Sequence, residues 1–89
     1  MNITDVRIRL IKKEDSKLKA VATITIDNAF AIHDIKVIEG TNGYFISMPS
    51  RKINENEHKD IAHPINAEAR ALIHNLIIDA FNKELSAQE

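Results

Sequence analysis

Two kinds of hydrophobic periodicity divide this chain and leave few architectures open. Residues 2–11 and 18–26 alternate apolar and polar side chains with a period of two, which is typical of strands that bury one face of a sheet. Residues 66–85 instead carry apolar side chains at helical spacing. The chain therefore begins with sheet and ends with a helix, which predicts an α+β fold.

The middle of the chain completes the predicted sheet. A third strand is expected over residues 30–39 and a short fourth strand over residues 44–48. Residues 40–43 (Gly-Thr-Asn-Gly) form a strong turn signal between them, because Gly and Asn tolerate positive φ. Residues 27–28 (Asp-Asn) suit a tight connection between the second and third strands. The prediction is a four-stranded antiparallel meander.

The C-terminal segment predicts one amphipathic helix. Asn66 is a good N-cap, and Glu68 places a negative charge in the first turn, where it suits the helix dipole. The helix is expected to end near Leu85, which leaves residues 86–89 as a frayed tail on a single domain of residues 1–85. Its apolar face consists of Ala69, Leu72, Ile73, Leu76, Ile77, Ala80 and Phe81.

The third predicted strand is apolar on both faces. A strict alternation turns Ile32 and Ile38 to one face and Ile35 and Val37 to the other. One helix covers only one face of a sheet, so the second face needs another cover. A homodimer formed through the sheet is the economical solution for so small a domain. The alternative is a strongly curled sheet whose second face is covered by the stems of Lys and Arg side chains.

Composition excludes several function classes. The 89 residues contain no cysteine, so thiolate zinc sites, disulfides and cysteine nucleophiles are absent. The chain has two glycines, both in one turn, and therefore no Gly-rich phosphate loop. Its four histidines lack metal-ligand spacing. We expect no enzymatic activity, no cofactor, no metal and no small-molecule substrate. Without an apolar run of membrane-spanning length or a signal segment, the protein is expected to be cytoplasmic.

A polar segment between the fourth strand and the helix is the strongest candidate site. Pro49 interrupts the strand because it lacks an N–H, and Ser50, Arg51 and Lys52 follow it directly. Lys59 and Arg70 lie further along the chain. Arg and Lys contact phosphates and Ser adds a neutral donor, so these residues are candidates for nucleic-acid binding. A solvated loop is the alternative interpretation. The basic N-terminal residues 7–19 are the next candidate surface.

Three sequence pieces, in this order and spacing, carry a specific resemblance. They are "FAIHDIKVIEG", "MPSRK" and "KDIAHPIN", within a similarity that runs from Asn2 to about Arg70. The chain resembles the stage V sporulation protein G (SpoVG) family of bacterial regulators. The resemblance implies a small homodimer of meander-plus-helix subunits that binds DNA, and in some members RNA, with sequence preference. It assigns nucleic-acid contact to Arg51 and Lys52, and less directly to Lys59 and Arg70.

The chain also departs from that family pattern. Residues 54–56 (Asn-Glu-Asn) replace a Pro-Asp-Gly type of turn, where Asn56 can take the left-handed conformation at modest cost. His58 replaces a common aromatic residue. The helix after Arg70, with its extra Ile77-Ile78, is also distinctive, so the preferred target sequence is not inherited from the family.

The sequence thus predicts a cytoplasmic, dimeric, site-preferring DNA-binding regulator of gene expression, with RNA as a further ligand. The resemblance links it to the control of asymmetric septation and sporulation. The alternative is a protein–protein adaptor of the cell-division machinery, in which the same basic segment binds an acidic partner.

Overall fold

The computed structural model describes residues 1–87, and within them the chain forms six strands and one helix. These are β1 (Ile3–Leu10), β2 (Leu18–Ile26), β3 (Phe30–Gly40), β4 (Gly43–Ser47), β5 (Ser50–Asn54), β6 (Glu57–Asp60) and α1 (Ala67–Ala87). The first four strands form one antiparallel sheet in the order β1-β2-β3-β4, whereas β5 and β6 pair in a separate two-stranded sheet. The predicted α+β fold and four-stranded meander are confirmed.

The core lies between α1 and one face of the four-stranded sheet. Ile73, Ile77 and Phe81 are the buried residues of the helix. Ala20 and Ala22 are fully buried in β2, whereas the helix backbone comes closest to the edge strands β1 and β4. The remaining buried core residues are Ile24, Ile35 and Val37. Helix and sheet are thus held together by close apolar packing.

Both predicted local signals at the ends of elements are present. Asp27 and Asn28 have positive φ values of 53° and 52°, and the Ala29 amide donates to the Ile26 carbonyl at 2.9 Å. Positive φ at both central positions is typical of a type I′ turn, whose twist matches that of paired strands. At the helix start, the Ala69 amide donates to Oδ1 of Asn66 at 2.7 Å. Asn66 is therefore the N-cap, as predicted.

β3 departs from the predicted alternation at Asp34. Ile24 pairs with Ile32, and Ala22 pairs with Ile35, so one residue of β2, Thr23, opposes two of β3, His33 and Asp34. Asp34 has a φ of 62°, and the extra residue makes a β-bulge. Ile32 and Ile35 consequently both contact the core. The prediction that they face opposite ways was wrong, because strict alternation does not allow for an inserted residue.

The other face of the sheet has no helix over it within the described residues. Leu18 pairs with Ile38, and Ile38 pairs with Phe45, so the three side chains form one apolar cross-strand row. Phe45 is 47% exposed. The apolar surface on this face is therefore formed by this row and not by Ile32 and Ile35.

Two further boundaries differ from the prediction. Residues 50–60, expected to form a loop, contain the β5–β6 hairpin. The helix extends to Ala87, so Ser86 and Ala87 are helical rather than frayed, and residues 88–89 of the predicted tail lie outside the described part of the chain. Within residues 1–87, no helix combines the length and the apolar character that crossing a membrane requires.

Candidate nucleic-acid interface

The predicted site is built on a hairpin that leaves the sheet at Pro49. β4 ends at Ser47 and β5 begins at Ser50 in a different sheet, so only two residues separate them. Pro49 cannot donate a ladder hydrogen bond, but its carbonyl accepts one from the Ile61 amide at 2.7 Å. This bond continues the β5–β6 hydrogen-bond ladder as far as Pro49, where the chain leaves the four-stranded sheet. Every residue of β5 and β6 is exposed.

The hairpin turn is organised by Asn54. Its Oδ1 accepts a hydrogen bond from the Asn56 amide at 2.9 Å, which is an Asx turn, and its Nδ2 donates to Oε1 of Glu57 at 3.4 Å. The turn is present, but Asn56 does not use the left-handed conformation that is open to it, since it has no positive φ. The side chain of Asn54 supplies the turn geometry instead.

The hairpin register brings four of the five predicted site residues together. Ser50 pairs with Asp60, Arg51 with Lys59, and Lys52 with His58. Arg51 and Lys59 therefore lie on one face of the ribbon, and Lys52 and His58 lie on the other. In the sequence, His58 stands out only as a departure from the family pattern. Its position opposite Lys52 depends on how β5 pairs with β6, which the sequence alone does not give.

The cations of the hairpin lack acidic partners in the described part of the chain. Within residues 1–87, the side chains of Arg51, Lys52 and Lys59 form no ion pair or side-chain hydrogen bond. Like charges directly opposite one another in a sheet are destabilising, although solvent weakens the effect at exposed positions. An anion placed against the ribbon would remove this repulsion. The arrangement is thus suited to binding phosphates.

Arg70, the fifth predicted residue, lies on the helix rather than on the hairpin. It lines an open groove of about 640 Å³ between β4, the base of the hairpin and the first turns of α1. Asp60, His63 and His74 line the same groove. Because Asp60 pairs with Ser50 at the base of the hairpin, the groove adjoins the basic ribbon. Arg70 thus shares a groove with the base of the hairpin, but none of the other four predicted residues lines that groove.

Two cations of the basic N-terminal segment form ion pairs. Arg7 is paired with Asp5 through an Nε–Oδ2 distance of 2.9 Å. Lys19 lies 3.9 Å from Oε1 of Glu39, with its side chain largely buried. These pairs neutralise part of the segment's charge, whereas the hairpin cations have no such partners among residues 1–87. The hairpin is the stronger candidate surface.

The histidines and carboxylates do not assemble a metal centre. Across residues 1–87, no group of three or more His, Asp or Glu residues is placed to hold a metal ion. His63 Nδ1 lies 3.1 Å from the Pro64 carbonyl oxygen, and His33 Nδ1 lies 3.2 Å from Oγ1 of Thr23. Both rings thus make local hydrogen bonds.

Comparison with known proteins decides the family. A family model described as SpoVG matches residues 1–83. The chain belongs to the SpoVG family. The SpoVG match extends past Arg70, where the resemblance carried by sequence motifs ends, and includes most of α1.

Relatives across the SpoVG family match the chain over nearly its whole length. A protein of Clostridium perfringens is 57% identical over 91 aligned positions, covering all of both chains. One from Agathobacter rectalis is 56% identical over 85 residues, covering 96% of this chain and 97% of its own. One from Clostridioides difficile is 53% identical over 85 residues, covering 96% of this chain and 91% of its own. Each carries the name "Putative septation protein SpoVG".

Proposed function

We propose that this protein is a non-enzymatic, nucleic-acid-binding regulator of gene expression that acts in the cytoplasm. The observation that supports the proposal is the exposed hairpin on which Arg51 opposes Lys59 and Lys52 opposes His58. Residues 50–60 hold three cations and three carboxylates, but the cations form no ion pair within residues 1–87, so they remain available to the phosphates of a polyanion. DNA is the proposed ligand, with RNA as a further one.

The biological process is proposed from the relatives. Proteins 53–57% identical to this chain bear the name of a septation protein. We assign the regulated genes to septation, and in a sporulating organism to sporulation. The formal net charge of −1 supports a selective binder, since the chain as a whole does not attract nucleic acid and binding depends on a few locally placed cations.

The active species is proposed to be a homodimer. The row of Leu18, Ile38 and Phe45 on the uncovered sheet face supports it, because an 89-residue domain has a thin core and gains from burying this surface against a second copy. A dimer also presents two basic hairpins to one nucleic acid. Two modules that act together bind more tightly than either alone.

The direct test removes the paired cations and titrates binding against salt. The double variant Arg51→Ala/Lys52→Ala should bind every duplex more weakly. Its plot of log K against log salt concentration should become shallower by about one unit for each phosphate that a copy no longer neutralises. Folding should be nearly unchanged, within about 0.5 kcal/mol, because both side chains are exposed.

A matched control removes two positive charges at positions outside the hairpin. Lys17 and Lys83 are exposed and lie outside the hairpin, so Lys17→Ala/Lys83→Ala alters net charge equally. Wild-type affinity and salt slope are expected for this control. Equal losses of affinity in both double variants would mean that only overall charge matters. If the wild-type protein discriminates no sequence and binds an acidic protein partner instead, the adaptor function replaces the proposed one.

A further inference from the structure

We propose that the free edge of β4 binds an extended peptide segment with one acidic side chain, which adds to the four-stranded sheet as a further strand. The site is the open groove of about 640 Å³ between β4, the base of the hairpin and α1. Arg51, Lys52 and Lys59 do not line this groove. Peptide binding here would therefore be a function separate from the binding of nucleic acid by the hairpin.

The groove follows the free edge of β4. Within residues 1–87, β4 pairs with β3 and with no other strand. Four consecutive residues, Phe45 to Met48, line the groove. Successive side chains of a strand point to opposite faces of a sheet, so a groove lined by all four lies at the edge rather than on one face. Ile46 and Met48 contact the core on one side, and Phe45 is exposed on the other.

The backbone of β4 directs free hydrogen-bonding groups into this groove. The Glu39 amide donates to the Lys17 carbonyl at 2.8 Å, so the backbone groups of Glu39 point away from β4. Glu39 pairs with Tyr44, and Val37 pairs with Ile46. Because bonded and non-bonded pairs alternate in an antiparallel ladder, the backbone groups of Tyr44 and Ile46 point to the open edge. No other backbone group among residues 1–87 bonds to them.

The opposite wall of the groove is one stripe of α1. Ala67, Ala71 and Asn75 lie along it at four-residue intervals, which places them on one side of the helix. The two alanines are exposed and small, so they leave room for a strand. The stripe is about 12 Å long, and Phe45 to Met48 span about 10 Å. The two walls therefore match an extended segment of about four residues.

Arg70 gives the groove its preference for an acidic side chain. It lines the groove and is exposed, and its side chain forms no ion pair or side-chain hydrogen bond with any residue from 1 to 87. A carboxylate that reaches it would form a charge-assisted hydrogen bond. Asp60 lines the same groove and repels further negative charge, whereas Phe45 and Met48 offer apolar contacts. The occupant is therefore a segment with one acidic residue among apolar ones, and not a polyanion.

The proposed dimer surface and the groove are different parts of β4. The row of Leu18, Ile38 and Phe45 lies on the face of the sheet, and only Phe45 of this row also lines the groove. A dimer formed through that face does not use the backbone groups of Tyr44 and Ile46. They stay available to a peptide, which gains affinity from main-chain hydrogen bonds and specificity from side-chain contacts.

The first experiment measures peptide binding by fluorescence anisotropy. Wild-type protein selects its best-bound sequence from a hexapeptide library with a fixed central glutamate and varied apolar and threonine positions. The selected peptide should bind about ten-fold or more tightly than the same peptide with glutamine, and Arg70→Gln should remove this difference. A selected peptide that is N-methylated at alternate backbone nitrogens should not bind, because it cannot donate to the carbonyls of β4.

Two tryptophan variants test where the peptide binds. Ala71→Trp fills the groove from an exposed position and should abolish binding of the selected peptide. Asn82→Trp makes a comparable change at an exposed helix position outside the groove and should bind the peptide as the wild type does. Circular dichroism melts check that both variants are folded. Wild-type affinity in Ala71→Trp, or a library from which no peptide binds, would overturn the proposal.

Residue-resolved hydrogen exchange identifies strand addition. On peptide binding, the amides of Tyr44 and Ile46 gain acceptors and should exchange about ten-fold or more slowly, whereas the Phe45 amide already faces β3 and should change little. Binding without this slowing would show that the peptide does not join the sheet. If the free protein already protects Tyr44 and Ile46, and dilution removes the protection, a second copy occupies the edge and the proposal fails. No nucleic acid is present, so these outcomes do not depend on the proposed function.

Discussion

Arg51 lies directly opposite Lys59 across the β5–β6 hairpin, and both side chains are exposed. A cross-strand pair of like charges is less stable than a neutral or opposite-charge pair, by roughly 0.2–1 kcal/mol. In the neighbouring pair Lys52 lies opposite His58, which offers it no acidic partner. The repulsion between Arg51 and Lys59 thus slightly destabilises the free hairpin, and a bound polyanion would remove it. A substitution that removes one of these charges should therefore stabilise the hairpin and weaken binding.

A charge reversal at Lys59 tests that opposition. In Lys59→Glu, residue 59 gains an attractive pairing with Arg51, so amide hydrogens of β5 and β6 should exchange more slowly, corresponding to at most about 1 kcal/mol. Affinity for DNA should fall, because each copy loses one cation and gains one anion at the ribbon. Hydrogen exchange and fluorescence anisotropy measure the two effects. Lys17→Glu makes the same charge change outside the hairpin and should leave exchange in β5 and β6 unaltered.

The N-cap of α1 gives a prediction about stability alone. Asn66→Ala removes the acceptor of the 2.7 Å bond from the Ala69 amide. The substitution should destabilise the fold by about 1 kcal/mol, which lowers the melting temperature of so small a domain by roughly 4–8 °C. Asn66→Asp keeps an acceptor at the same position and should melt close to wild type. Equal melting temperatures for the two variants would show that this bond contributes little.

The parts of the fold that could be predicted depend on local rules. Alternation over β1 and β2, the type I′ turn at Asp27-Asn28 and the cap at Asn66 each follow from the residues within a few positions. Such preferences act in the chain itself, before any distant contact forms. The candidate residues Ser50, Arg51, Lys52 and Lys59 were chosen on a similarly local ground, as cations and a donor in the polar segment after a strand-breaking proline, and their role stays a prediction.

The hairpin could not be predicted, because its strands carry no apolar face. Residues 50–60 are mostly polar, so no period-two hydrophobic signal marks β5 or β6. Their pairing depends on backbone hydrogen bonds and on the turn that Asn54 stabilises. The bulge at Asp34 was missed because it depends on register with β2, which is a non-local property.

The same bulge yields a prediction about backbone strain. Asp34 has a φ of 62°, a region that β-branched residues rarely adopt. Asp34→Val should therefore destabilise the fold by about 1–3 kcal/mol. Asp34→Asn should be tolerated, because Asn accepts the left-handed region about as readily as Asp. Urea unfolding of the two variants measures the difference. If Asp34→Val unfolds at the wild-type midpoint, β3 has shifted register without penalty and the bulge is not required.

The last prediction concerns the uncovered sheet face. If the row of Leu18, Ile38 and Phe45 packs against a second copy, sedimentation equilibrium at micromolar concentration should give about twice the 10.1 kDa mass of one chain. Phe45→Lys places a charge in that interface and should shift the equilibrium toward monomer. Phe30→Lys is the control, because Phe30 is also exposed, at 65%, but lies outside the row. A wild-type chain that sediments as a monomer, with a melting temperature independent of dilution, would contradict the dimer. A Phe45→Lys chain that stays dimeric would place the interface elsewhere.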